Sequence, residues 1–202
     1  MSALAPGRER ILAAARDLFQ RKGFHAVGLS EILAAAKAPK GVLYHHFPEG
    51  KDALGAAAVR GIGDDVTAYI AARRAEGASG EGIVTALAAM SARFMAREGF
   101  AWSPLIAAVA HQAGPDTPRL AEALVETHAA WRNELARTFE MQGAPEATAR
   151  SLAATAIALL EGAAIVARIE RDTAPLDAVG GQVARLAALE QGRSLDVPGG
   201  PS

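Results

Sequence analysis

An all-α fold is predicted, with about nine helices split between a small head and a larger body. Three observations carry it. Apolar residues recur at helical spacing along most of the 202-residue chain, and the alternation of a strand is almost absent. Glycine and proline fall between the periodic segments, where helices stop and start. The charge is also divided. Residues 1–51 carry eight Lys/Arg against four Asp/Glu, net +4, and the remainder carries thirteen against eighteen, net −5. A basic segment on an acidic body suggests that the segment meets a polyanion.

Composition closes several routes. Half the residues are hydrophobic, enough for a packed core. There is no cysteine, which excludes disulfides, thiol catalysis and thiolate metal sites. The start, "MSALAPGRER", has no apolar signal core, and no uninterrupted apolar run reaches about 18 residues, so neither secretion nor a membrane span is expected. A cytoplasmic location is the expectation.

From Arg8, apolar residues recur at Ile11, Ala15, Leu18 and Phe19, and Gly23 should end that helix after the basic pair Arg21-Lys22. A short helix follows with Leu29, Ile32, Leu33 and Ala36 inward, Gly28 as N-cap and Glu31 at the capping-box position. Lys37-Ala38 makes a turn. Pro39 opens a third helix, where its missing N–H costs nothing, and Phe47-Pro48 closes it. Further helices are predicted over about 51–76, 82–98, 104–112, 118–142, 146–172 and 176–191, separated by "EGASGEG", "GFAWSP", "AGPDTP", "GAPE" and Pro175. Residues 1–6 and the end, "VPGGPS", are expected to be disordered. The domains are therefore 1–50, 51–192 and a tail at 193–202.

"PKGVLYHHFPEGK", residues 39–51, concentrates the chemistry. His45 and His46 are adjacent and point about 100° apart on a helix, so they chelate one ion poorly, and no metal site is expected. The spacing is not that of a nucleotide phosphate loop, and no strand precedes it. No Ser/His/Asp or paired-carboxylate arrangement stands out, so no catalytic residue is assigned. Two short helices across a tight turn have helix-turn-helix proportions. Ile32, Leu33, Ala36, Leu43 and Phe47 would form a small core with Ile11, Leu18, Phe19 and Phe24. Lys40, Gly41, Val42, Tyr44 and His45 would then face outward, with His46 packed or capping. Lysine, tyrosine and histidine donate to phosphate oxygens; a glycine lets the backbone approach base edges; valine offers apolar contact to a thymine methyl. Lys51, at the start of a helix, also suits a phosphate.

These residues resemble the DNA-binding domain of the TetR family of bacterial transcriptional repressors. The matching positions read Ile11-Leu12-Ala14-Ala15, Leu18-Phe19, Gly23-Phe24, Gly28-Leu29, Glu31-Ile32, Ala36, Lys40-Gly41, Leu43-Tyr44-His45-His46-Phe47 and Lys51-Asp52-Ala53-Leu54. "FPEGK" and "GFAWSPLIAAVA" resemble the branch that responds to drugs or flavonoid-like aromatics. The chain departs from the pattern at three places: Lys37 stands where the turn usually has glycine, and Pro39 and Val42 stand where hydroxyl side chains often contact DNA. The resemblance implies DNA contacts at Gly28, Pro39, Lys40, Gly41, Val42, Tyr44, His45 and Lys51.

It further implies a C-terminal effector-binding and dimerisation domain. Met90, Phe94, Trp102, Ile106, Val109, Trp131 and Ile165 are the expected apolar lining of a small-molecule pocket, with His128 and Glu161 as its orienting polar groups. Small residues crowd the helix over 146–172, and its apolar positions cover more than one face. With the last helix it should form a two-fold homodimer through Ala156, Leu160, Ala163, Ala167, Val183 and Leu186. The implied function is a ligand-responsive repressor that binds a pseudo-palindromic operator in double-stranded DNA as a homodimer and is released by a small apolar or aromatic effector. No cofactor and no membrane partner are expected. An all-helical enzyme would need a converging acid/base or metal set. A non-catalytic adaptor bundle would not need the charged head.

Overall fold

α1 (Gly7–Lys22) turns Ile11, Leu12, Ala15 and Phe19 inward at spacings of one, three and four residues. Gly23, at φ +80°, ends it with its N–H on the Phe19 carbonyl at 2.8 Å. α2 (Leu29–Ala36) begins after Gly28, which caps it through backbone alone. The expected capping box does not form. A glycine has no side-chain oxygen to reciprocate, and the Glu31 carboxylate pairs with Lys22 Nζ at 2.6 Å instead. Lys37 ends α2 in the left-handed region at φ 48°, where a residue with a Cβ costs about 1–2 kcal/mol. The N–H groups of Lys37 and Ala38 close the end on the carbonyls of Ala34 and Leu33.

α3 (Lys40–His46) has Pro39 as its N-cap, extended at ψ 149°, rather than as its first helical residue. α4 (Lys51–Ala75), α5 (Gly80–Arg97) and α6 (Leu105–Val109) follow. The helix predicted over 104–112 is shorter than expected. It tightens into a 3₁₀ turn at Ala110–Gln112, and the Gln112 amide folds back to donate to the Ala108 carbonyl at 3.0 Å. α7 (Pro118–Met141), α8 (Glu146–Glu170) and α9 (Ala174–Glu190) complete the chain. This computed structural model describes residues 7–190, so the first six residues and the predicted 193–202 tail lie outside it. Among the described residues there are nine α-helices and no strand.

The chain packs as two compact units. Among the described residues, one holds 7–68 together with 98–131, and the other holds 69–97 together with 132–190. The expected boundary after residue 50 therefore falls inside the first unit. The reason is visible in α4. The Phe24 ring lies so close to Gly55 that a Cβ there would stand 2.6 Å from its Cε2. The first part of α4 is thus packed into the head's own core.

That core comprises Ile11, Ala15, Phe19, Phe24, Val27, Ile32, Ala36, Leu43, Phe47 and Leu54, all buried. Leu18 and Leu33, expected among them, are only half-buried, and Val27 was not anticipated. α6 packs on α1, and Leu105, Ile106 and Val109 are buried there. In the second unit α9 packs against both α5 and α8. Gly80 and Gly180 sit where a Cβ would collide with Phe139 and Thr85 respectively. Glu134, 9% exposed, is held by Arg74 at 2.7 Å and Arg137 at 2.6 Å.

Candidate functional site

α3 is seven residues long and only Leu43 among them is buried. A helix with one inward position presents nearly all its other side chains outward. Lys40, Gly41, Tyr44, His45 and His46 are exposed, as are Gly28 and Pro39. Lys40 Nζ lies 5.7 Å from the Tyr44 ring centroid, one helical turn away, so both polar tips end on the same patch. A Cβ on Gly41 or Gly28 would meet nothing within 4 Å. The space in front of both glycines is open, as an approaching backbone or base edge requires.

Three expected positions differ. His46 is exposed rather than packed, and its ring lies edge-on to His45 with centroids 4.8 Å apart. Val42 is half-buried, and its Cγ1 would stand 2.8 Å from a Cβ on Gly7, so it turns partly toward α1. Lys51 folds inward. Its ammonium lies 4.5 Å from the Phe24 ring centroid and donates to the His25 carbonyl at 3.3 Å. Burial pushes this ammonium below the usual lysine range. Its first engagement is with the protein, where the sequence suggested a phosphate.

The nine expected pocket residues are drawn from both units. In the first, Ile106 and Val109 are buried on α6 and Trp102 is half-buried. The Trp131 indole N–H donates to the Gly63 carbonyl at 3.1 Å, tying α7 to α4, and the His128 ring lies 6.3 Å from it. In the second, Met90 and Phe94 are exposed on α5, with the Arg97 guanidinium 4.5 Å over the Phe94 ring, and Ile165 is 51% exposed. The second unit also carries an open polar groove of about 340 Å³, lined by Asn133, Ala136, Arg137, Glu140, Glu146 and Arg150. None of the nine residues borders it. Among the described residues no cluster of three His, Asp or Glu stands ready for a metal ion.

Glu161 on α8 is half-buried, and burial pushes its carboxyl up to about 7. The unfolded value is 4.5, so between 4.5 and about 7 the folded chain holds a proton that the unfolded chain has released. Stability therefore falls as pH rises through that window and stays low above it. Glu161→Gln is expected to raise the melting temperature near pH 8 and to change it little near pH 4, read by thermal denaturation across pH. An equal shift at both ends would contradict the burial account.

Of the expected dimer residues, Ala156, Ala167 and Val183 are buried inside the second unit, while Leu160 and Ala163 are half-buried. Small inward residues let α8 pack closely on its own neighbours, and a buried position cannot also form an outer face. The outward apolar residues include Ala154, Ala158, Gly162, Ile165, Val166 and Ile169 on α8, and Leu186 and Leu189 on α9. α8 is long and apolar enough to cross a membrane by length and composition alone, with Glu161 and Arg168 interrupting its apolar run, and 33% of that stretch is buried within the chain. Both facts follow from one helix being apolar on two faces.

Two family models match the chain. Residues 11–58 match that of the bacterial regulatory proteins, tetR family, and residues 81–182 that of the C-terminal domain of LmrA/YxaF-like transcriptional regulators. An HTH-type transcriptional regulator of Mycobacterium tuberculosis is 36% identical, over 91% of this chain and 95% of its own length. The HTH-type transcriptional regulator LmrA of Bacillus subtilis is 31% identical, over 84% of this chain and 90% of its own. A TetR transcriptional regulator from Legionella pneumophila superimposes with a TM-score of 0.76 at 22% identity, covering 91% of this chain and 98% of that one. The reduced form of NemR from Escherichia coli does so with a TM-score of 0.71 at 22% identity, covering 90% and 97%.

Proposed function

Since the chain belongs to the TetR family of bacterial transcriptional regulators, we propose that it is a ligand-responsive repressor that binds a pseudo-palindromic operator as a homodimer in the cytoplasm. The observation that supports DNA reading best is α3 itself. One buried leucine anchors it, while Lys40, Gly41, Tyr44 and His45 share the open side. Lys40, Tyr44 and His45 serve phosphates, and the backbone at Gly41 approaches the bases. With Pro39 and Val42 supplying no hydroxyl, sequence preference falls on few side chains.

The outward apolar face of α8 supports the homodimer. Two copies would set two recognition helices about one DNA turn apart, ~34–36 Å, in successive major grooves. A small apolar or aromatic effector releases DNA only if it binds the non-operator conformation better, because a ligand without that preference shifts nothing. Ile106 and Val109 are apolar candidates for contact in the first unit. The role is regulatory, and no catalytic step is assigned to the chain.

Gly41→Ala separates fold from function. The added methyl meets nothing within 4 Å in the free protein. Alanine in a helix interior is worth roughly 0.5–1 kcal/mol over glycine, so thermal stability should hold or rise. Affinity for a duplex selected by the wild-type protein should fall by about 1–3 kcal/mol, the scale of one spoiled base contact. Titration of labelled duplex at fixed salt reads this, and unchanged affinity would remove Gly41 from the interface.

A further inference from the structure

The helix-turn-helix is gripped at both ends by one short stretch of the first unit. At its entrance, Gln112 Oε1 accepts from the His25 N–H at 2.8 Å, and the Gln112 carbonyl meets His25 Nε2 at 2.9 Å. Gly23 permits this approach, since a Cβ there would collide with the Gln112 amide. At its exit, Arg119 pairs with Glu49 at 2.8 Å, and the N–H groups of Arg119 and Leu120 donate to the Asp52 carboxylate at 3.1 and 2.9 Å. His25 lies just before α2, and Glu49 and Asp52 lie just after α3.

The two grips are joined by a braced turn. The Gly114 N–H donates to Thr117 Oγ1 at 2.9 Å, the Thr117 N–H returns to the Gly114 carbonyl at 2.9 Å, and Thr117 is buried. Lys51 Nζ on the His25 carbonyl ties the entrance to the exit. A seven-residue helix is too short to hold its own geometry in water, so α3 depends on what surrounds it.

We infer that the stretch Gln112–Leu120 positions the recognition helix, with Gln112 acting through His25 and Arg119 and Leu120 acting through Glu49 and Asp52. These are positioning residues, and none of them lies on α3 itself. The inference rests on the proposed DNA reading for its second readout only.

The test compares Gln112→Met, which keeps the length but loses both the acceptor and the donor to the Ala108 carbonyl, with Gln112→Glu, which loses the same donor but keeps an acceptor for the His25 N–H. In amide hydrogen exchange on the full chain, Gln112→Met should speed exchange at His25 and across α2 and α3 by about tenfold, leaving α5, α8 and α9 unchanged. Gln112→Glu should restore the protection. The second readout is the affinity for a duplex selected by the wild type, relative to a random duplex of equal length. Gln112→Met should lose about tenfold of that preference while random-duplex affinity stays within about twofold, since phosphate contacts carry the latter. Gln112→Glu should keep the preference. Unchanged exchange in α2 and α3 would overturn the inference, as would loss of preference in both variants or in neither. If the wild type selects no sequence, the repressor reading fails, while the exchange result still decides the clasp.

Discussion

Ile165→Asp is expected to leave each chain folded while separating the proposed homodimer. Ile165 is 51% exposed and Ile169, one turn on, is 74% exposed, so α8 loses little internal packing when this side chain becomes polar. On a single chain the carboxylate sits in water. Between two chains it would be stripped of water without a partner, which costs about 3–5 kcal/mol when one member of a buried pair is left alone. The dimer dissociation constant should rise by roughly a hundredfold or more. Sedimentation equilibrium reads the mass and circular dichroism the fold. A dimer of undiminished stability would place the interface elsewhere. Operator affinity should fall with dimerisation, because one recognition helix alone covers one half-site.

Leu43→Ala should destabilise the head strongly. Leu43 is 0% exposed and is the only buried residue α3 contributes. Truncating a buried leucine costs about 2–5 kcal/mol, through lost transfer energy and the cavity left behind. Here the loss falls on a helix with no second inward anchor of its own; Phe47, just past its end, is the nearest help. Denaturant unfolding should show the reduced stability, and α3 amides should exchange before those of α8. A loss below about 1 kcal/mol would mean the site collapses around the gap.

The sequence made the architecture legible because each element carries its own period and its own stop. Gly23 ends α1 through a left-handed turn that a glycine adopts freely, and that signal is local. Where a side chain has two possible partners, the sequence could not choose. Glu31 was a capping residue by position, but with glycine at the cap it turned to Lys22. Lys51 was a phosphate ligand by position, but Phe24 and the His25 carbonyl lie within its reach. On α8 the count of small residues indicated two apolar faces but not which face meets α9. Ala156 and Ala167 therefore lie inside, and Ile165, expected in a pocket, lies outside. Gln112 carried no signal at all. Its partner His25 is 87 residues away, and the sequence places Gln112 only as the last residue of a predicted helix.

The proposed function stands on α3 reading DNA sequence in a two-fold pair. The direct measurement is selection of binding duplexes from a random-sequence pool at moderate salt, followed by sequencing. Selection should yield an enriched inverted repeat with half-sites about one helical turn apart, and that enrichment should weaken when Gly41, whose backbone approaches the bases, is replaced by alanine. A pool that emerges without any enriched sequence, or an enriched motif that the Gly41 replacement leaves intact, would contradict it.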